Sequence, residues 1–312
     1  FYKEKIDYFV VSSNTLEAIK LTQKLREKGK VVDFIQGDLK NFEDIKDVFS
    51  KHEIKAVIHF AAYSQVAESM KNPQKYYENN VEGTLNLLNA MVENSVKRIV
   101  FSSTAATYGE PVYTPIDENH PQNPINPYGE TKLKIEKIMD EFDEKYGLKS
   151  VRLRYFNVAG ADSLNRVGEW HDPETHLIPL VLDAAIGKRD SISIFGTDYD
   201  TPDGTCIRDY IHVNDLADAH IKAYEYLCNE NESNIFNLGN GEGYSVREVI
   251  DMCKKVTGCD FEVKLDERRE GDPAVLIADS TKIRDKLGWI PQYDLESIVE
   301  SAWKWHEKIN MV

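Results

Sequence analysis

Between residues 8 and 157, short β-branched runs alternate with stretches of helical period, and this constrains the fold more than any other feature of the chain. The runs are YFVV at 8–11, 31–36, AVIHF at 56–60, RIVFS at 98–102 and SVRLRYFN at 150–157. Helical stretches lie between them: one opened by a capping box of Asn14 and Glu17 and running to about Lys28, then 42–52, 76–93 and 126–147. Such alternation is the signature of βαβ units, so 1–160 is expected to be α/β, a doubly wound parallel sheet with helices on both faces. Beyond Gly160 the pattern loosens. Helices are expected at 175–186, 213–227, 245–256 and 295–309, and strands at 191–195, 234–238 and 261–265. Residues 161–312 therefore read as a smaller α+β domain for substrate, with a few elements returning to the first.

Ligands of open parallel sheets bind beyond the carboxyl ends of the strands. Asp38, Ser64, residues 102–104 and Asn157 follow those ends and are expected to share one crevice. The helix at 126–147 opens onto the same side. Its apolar stripe is Ile135, Ile138, Met139 and Phe142, and Gly147 marks its stop. One turn before that stripe stand Tyr128 and Lys132, a phenol and an ammonium group side by side. The cation favours the phenolate. Lowering the phenol from about 10 to about 7 takes roughly 4 kcal/mol of differential interaction, and Tyr128 would then serve as a general base at neutral pH. One Tyr-x-x-x-Lys pair is what chance supplies in a chain of this size, so its weight rests on its surroundings.

A net charge of −15 argues against a nucleic-acid or anionic-membrane partner, while leaving room for a local basic pocket around a phosphate ester. No apolar run reaches the roughly 20 residues of a membrane span, and the N-terminus lacks a signal-peptide pattern, so a cytoplasmic location is expected. Cys206, Cys228, Cys253 and Cys259 lack metal-ligand spacing and read as reduced thiols. The eight histidines are scattered, and no metal site is predicted.

Nine stretches, in order along nearly the whole chain, resemble the extended short-chain dehydrogenase/reductase family, and within it the sugar-nucleotide 4-epimerases. They are FIQGDL ending at Leu39, VIHFAAYSQVAES (57–69), YYENNVEGTLNLL (76–88), FSSTAATYGEP (101–111), NPYGETK (126–132), RYFNVAGA (154–161), HLIPL (176–180), FGTDYDTPDGTCIRDYIHV (195–213) and RREGDP (268–273). The resemblance implies a Rossmann-like sheet, a tightly held NAD, and epimerisation at C4 between UDP-glucose and UDP-galactose through a transient 4-keto sugar. It makes Tyr128 the base, Lys132 its electrostatic partner, and Thr104 a hydrogen-bonding group at the sugar O4. By the same matching Asp38, Leu39, Phe60, Ala61, Ala62, Tyr63, Ser64, Asn80 and Phe156 join Thr104, Tyr128 and Lys132 on the cofactor side. Asn157, His176, Leu177, Ser193, Ile194, Phe195, Arg208, Arg269 and Asp272 fall with Thr104 and Tyr128 on the UDP-sugar side. Arg208 and Arg269 also make sense alone, because a diphosphate needs cationic partners. The plainer readings are that Asp38 caps the following helix and that Arg208 pairs with Asp209 or another carboxylate on a solvated surface. The resemblance further implies a homodimer through the helices near 76–93 and 129–146.

The family's G-x-x-G-x-x-G turn is absent from the chain. The better fit makes 1–7 the tail of the first helix and 8–11 the second strand, with the first strand and glycine turn omitted ahead of them; if the chain is complete, NAD is expected not to be retained. Two rivals remain. A 4,6-dehydratase needs an acid/base pair beside the hydroxyl, yet Thr104 is followed by Ala105 and Ala106. A catalytically silent NAD sensor or scaffold would have no need of Tyr128, Lys132 and Thr104 together.

Overall fold

The computed structural model describes residues 8–11, 33–269 and 271–310. The chain forms two compact units that interleave along the sequence. The first takes the described residues of 1–109 together with 121–154 and 220–236; the second takes 110–120, 155–219 and 237–312.

A five-stranded sheet, most of it in the first unit, runs in the order Tyr8–Val11, Ala56–His59, Arg98–Thr104, Lys149–Tyr155 and Asn234–Leu238. Its first three strands run parallel, Tyr8 opposite Ala56 and Val57 opposite Ile99. Fully buried Val57, Ile99, Val100 and Phe101 explain why these runs read as continuous apolar stretches. Helices Phe42–Lys51, Gly83–Glu93 and Pro127–Tyr146 bury Ile45, Phe49, Leu87, Leu88, Met91, Ile135, Met139 and Phe142 in one core. Each such side chain contributes about 1.5–3 kcal/mol on removal from water.

Three expectations change here. Strand 8–11 pairs directly with 56–59, which in a doubly wound order is the place of the first strand, not the second. Pairing there covers an edge of 56–59 that would otherwise stay open. Residues 33–36, expected to be a strand, have no regular structure, and 31–32 lie outside the described residues, as do 1–7 and the helix opened by Asn14 and Glu17. The continuous helix expected at 76–93 comes in pieces: a turn at Pro73–Tyr76, a π-helical stretch at Tyr77–Glu82, then Gly83–Glu93. Wide turns of this type often mark functional positions, and Asn80 sits in this one.

In the second unit, strand Ile207–His212 lies parallel to Asn157–Ala159 and Val275–Leu276 and antiparallel to Gly243–Ser245. Ser191–Phe195 pairs in parallel with Glu262–Asp266. Helices Leu177–Ala185, Val246–Thr257 and Leu295–Asn310 close a second core around Ile178, Val181, Leu182, Val249, Ile250, Ile298 and Val299. The capping box expected at Ser245 and Glu248 is formed: the Ser245 hydroxyl accepts from Glu248 N at 3.0 Å, and the Glu248 carboxylate accepts from Ser245 N at 2.7 Å. No helix among the described residues is long and apolar enough to cross a membrane.

Candidate functional site

Thr104, Tyr128 and Lys132 all lie in the first unit. Helix Pro127–Tyr146 begins where the Asn126 side chain accepts from Gly129 N at 2.9 Å, with Pro127 in the first turn. Gly129 is needed for close approach, since a Cβ there would stand 2.4 Å from the carbonyl oxygen of Ala106. Asn126 and Gly129 thus set the buried Tyr128 ring at the start of the helix, beside the short turn Ala105–Thr107 that follows strand Arg98–Thr104. Thr104 caps that turn by accepting from Ala106 N at 3.1 Å, which leaves its own hydroxyl proton to be donated elsewhere.

Lys132 is 3 % exposed. Its Nζ donates to the Ser102 carbonyl at 2.8 Å and stands 4.6 Å from the Phe101 ring centre and 6.0 Å from that of Tyr128. Burial pulls its pKa from the ordinary 10.5 down to about 7, against the opposing pull of Glu136. Burial thus works against the positive charge that favours the Tyr128 phenolate. Of its three N–H donors, one is used among the described residues, leaving two for a bound group.

Around this pair lie residues that sequence reasoning missed. Glu136, one turn beyond Lys132 and 2 % exposed, accepts from Ser103 Oγ at 2.5 Å, from Arg154 Nε at 3.0 Å and from Arg154 Nη2 at 2.5 Å. Arg154 also donates to the Tyr108 hydroxyl at 2.9 Å. The buried ion pair ties the helix to strand Lys149–Tyr155, and the Ser103 hydroxyl ties it to the strand end that carries Ser102, Ser103 and Thr104. His59 Nε2 lies 2.9 Å from Thr84 Oγ1, and its Nδ1 is buried with no partner among the described residues. Burial first, and Lys132 second, lower its pKa to about 3, so it stays neutral.

The expected cofactor residues of this unit fall into two groups. Asn80 grips the backbone of Tyr63 from both sides, accepting from its N–H at 2.8 Å and donating to its carbonyl at 3.0 Å, and donates to Thr131 Oγ1 at 3.3 Å. It positions the 60–64 segment. There Phe60 and Tyr63 are partly exposed, Phe60 against His220 and Tyr63 under Lys75, while Ser64 is exposed, Ala62 half-buried and Ala61 in the core. Asp38 is not the cap of the following helix. Asn41 is, and Asp38 Oδ1 instead accepts from Lys40 N at 2.9 Å in the preceding turn. Leu39 packs on the core.

The remaining expected residues lie in the second unit. Phe156 is buried, its N–H donating to Leu238 O at 3.2 Å, and Asn157 is exposed at the start of its strand. Arg269 lies over the Phe195 ring at 3.8 Å. Arg208 pairs with Asp272, not Asp209, and also donates to Ile207 O at 2.8 Å. Asp209 instead accepts from Asn240, Gly241 and Ala278 N–H groups, and burial raises its pKa to about 6. Ser193 and Leu177 are half-buried; the Ile194 side chain is committed to the core, so only its backbone can face a ligand. His176 contacts the Glu169 and Glu174 carboxylates, which in that order raise its pKa to about 10.

The parallel sheet, with Tyr128 and Lys132 buried one turn apart at the helix that follows the Thr104 strand, defines an extended short-chain dehydrogenase/reductase. A family model described as GDP-mannose 4,6 dehydratase matches residues 4–302. A curated UDP-glucose 4-epimerase of Halalkalibacterium halodurans is 56% identical over 278 residues, covering 89% of this chain and 83% of the relative. Among solved structures, a UDP-glucose 4-epimerase of Stenotrophomonas maltophila with bound NAD and formylated UDP-arabinopyranose matches with a TM-score of 0.91 at 35% identity, over 97% of this chain and 90% of that one. One from Bifidobacterium longum, in complex with NAD+ and UDP, matches with a TM-score of 0.87 at 38% identity, over 93% and 87%. The chain belongs to the UDP-glucose 4-epimerase family.

Proposed function

We propose that this protein interconverts UDP-glucose and UDP-galactose by inverting the configuration at C4, with NAD as a resident cofactor. The observation that carries this reading is the Tyr128–Lys132 pair, buried on one helix, with the lysine amine fixed on the Ser102 carbonyl and two donors to spare.

The residues present fit NAD. A buried amine with two unused donors suits the hydroxyl-bearing ribose of a nicotinamide nucleotide, and the partly exposed rings of Phe60 and Tyr63 offer apolar walls. Asn80 keeps those walls in place. When bound there, NAD would supply the hydride-accepting and hydride-returning chemistry at C4. The protein's own part is proton transfer and positioning. Tyr128 removes the proton from the C4 hydroxyl and returns it, and Lys132, in its charged form, holds the phenol toward phenolate. Thr104 donates its free hydroxyl proton to the same sugar oxygen. The nucleotide must be anchored while the sugar turns over to present its other face; Arg208, Arg269, Phe195 and Asn157 are assigned to that anchor, with Asp272 holding Arg208 in place.

Dehydration is disfavoured because elimination of water needs an acid/base pair next to the hydroxyl, and Ala105 and Ala106 follow Thr104. A homodimer and a cytoplasmic location complete the proposal; they follow from the family resemblance and from the acidic chain without a spanning run. Incubating the full-length, NAD-loaded protein with UDP-galactose should yield UDP-glucose, measured by a coupled dehydrogenase. Absence of turnover in a preparation that carries one NAD per chain would contradict the proposal.

A further inference from the structure

Two glutamates and two histidines of one short segment, Glu169, His171, Glu174 and His176, bring one ligand atom each to within 4.8 Å of all the others. His176 Nδ1 lies 2.8 Å from Glu169 Oε1 and 2.9 Å from Glu174 Oε1; His171 Nδ1 lies 3.3 Å from Glu169 Oε1 and 3.5 Å from Glu174 Oε2. Ordinary ion pairing explains this set poorly. A ring nitrogen carries a single N–H and cannot aim it squarely at two carboxylate oxygens, yet each Nδ1 here faces both glutamates. Both imidazoles would also have to carry a proton with their ring centres 5.0 Å apart.

The spacing fits a cation at the centre. Four donors about 2.0–2.1 Å from a tetrahedral Zn2+ stand roughly 3.3–3.4 Å from one another; the four histidine–glutamate contacts, at 2.8–3.5 Å, lie near that edge, and one ligand atom from each residue falls within 4.8 Å of the others. The cage is also supported from outside. The Glu169 carbonyl accepts from Trp305 Nε1 at 2.9 Å, and Gly168 sits so close to Trp305 that a Cβ there would fall 2.3 Å from its Cγ. Glu174 Oε1 is fixed by the N–H groups of Thr175 at 2.7 Å and His176 at 2.8 Å. His176 directly precedes helix Leu177–Ala185. Such outer contacts orient ligands before the ion arrives.

We propose that Glu169, His171, Glu174 and His176 form a binding site for a divalent transition metal of the Zn2+ class, which pins the 169–176 segment. Two neutral imidazoles and two carboxylates suit that class. The proposal does not rest on the epimerase reading. Full-length protein without a polyhistidine tag, stripped with chelator and incubated with Zn2+, should retain one equivalent per chain by elemental analysis after dialysis. Its thermal midpoint should rise with Zn2+. Glu169→Gln combined with His171→Ala should abolish both effects. Co2+ in wild-type protein should give the strong 500–650 nm absorption of a tetrahedral site, a readout that does not depend on the variant folding. Wild-type protein that retains no stoichiometric Zn2+ and shows no such Co2+ band would overturn the proposal, as would a folded double variant that keeps the full equivalent.

Discussion

Replacing Lys132 by methionine should make the protein more stable and inactive. The lysine is 3 % exposed and its pKa falls from 10.5 to about 7 on folding, chiefly through burial. At about 1.36 kcal/mol per unit, holding this group in the fold costs roughly 5 kcal/mol at pH 7. Methionine has similar length and no charge. Losing the hydrogen bond to Ser102 O returns about 1–3 kcal/mol of that, so the variant should gain roughly 2 kcal/mol or more at pH 7. The dependence on pH is the sharper test. Because the folded-state value lies below the unfolded one, the unfolded chain binds more protons between pH 7 and 10.5. Wild type therefore gains stability as pH rises through that window, and the penalty is full below it. From pH 7 to pH 9 wild type should recover about 2 kcal/mol relative to the variant. Urea unfolding of both cofactor-free proteins at pH 6, 7, 8 and 9 measures this. A stability difference that stays flat with pH would show that Lys132 is not held in the fold at the expense of its charge.

Two further outcomes follow from the same geometry. Glu136→Gln leaves the buried Arg154 guanidinium without its counter-charge and should cost about 3–5 kcal/mol in denaturant unfolding; a loss under 1 kcal/mol would mean that the pair does not tie the helix to the strand. Gly129→Ala should destabilise by about 1–3 kcal/mol although alanine is the better helix former by about 1 kcal/mol, because the added Cβ meets the Ala106 carbonyl at 2.4 Å. A more stable Gly129→Ala protein would refute that close approach.

Much of the fold was legible because the features that carry it are local. The buried stripe of Ile135, Met139 and Phe142, the Gly147 stop in left-handed conformation and the Ser245 capping box are all read from neighbours in sequence and all stand in the structure. Strand Ile207–His212 was not seen, because its charged pair Arg208 and Asp209 looks solvated until Asp272 and three backbone N–H groups, distant in sequence, satisfy it. Glu136 was hidden for a similar reason. A glutamate on an amphipathic helix reads as surface, and its partners Ser103 and Arg154 come from separate strands. The Tyr128 and Lys132 juxtaposition was plain from their spacing, but the lysine's depressed pKa was not, since it depends on burial by residues far along the chain. The Glu169–His176 cluster matched no ligand spacing and emerged only once the loop was folded back on itself.

The central claim is that the Tyr128 phenol carries the proton of the sugar hydroxyl. Steady-state conversion of UDP-galactose by NAD-loaded Tyr128→Phe tests it most directly. The account predicts a fall in kcat of about 10²–10⁴-fold with little change in UDP binding, and a variant that turns over at the wild-type rate would contradict it.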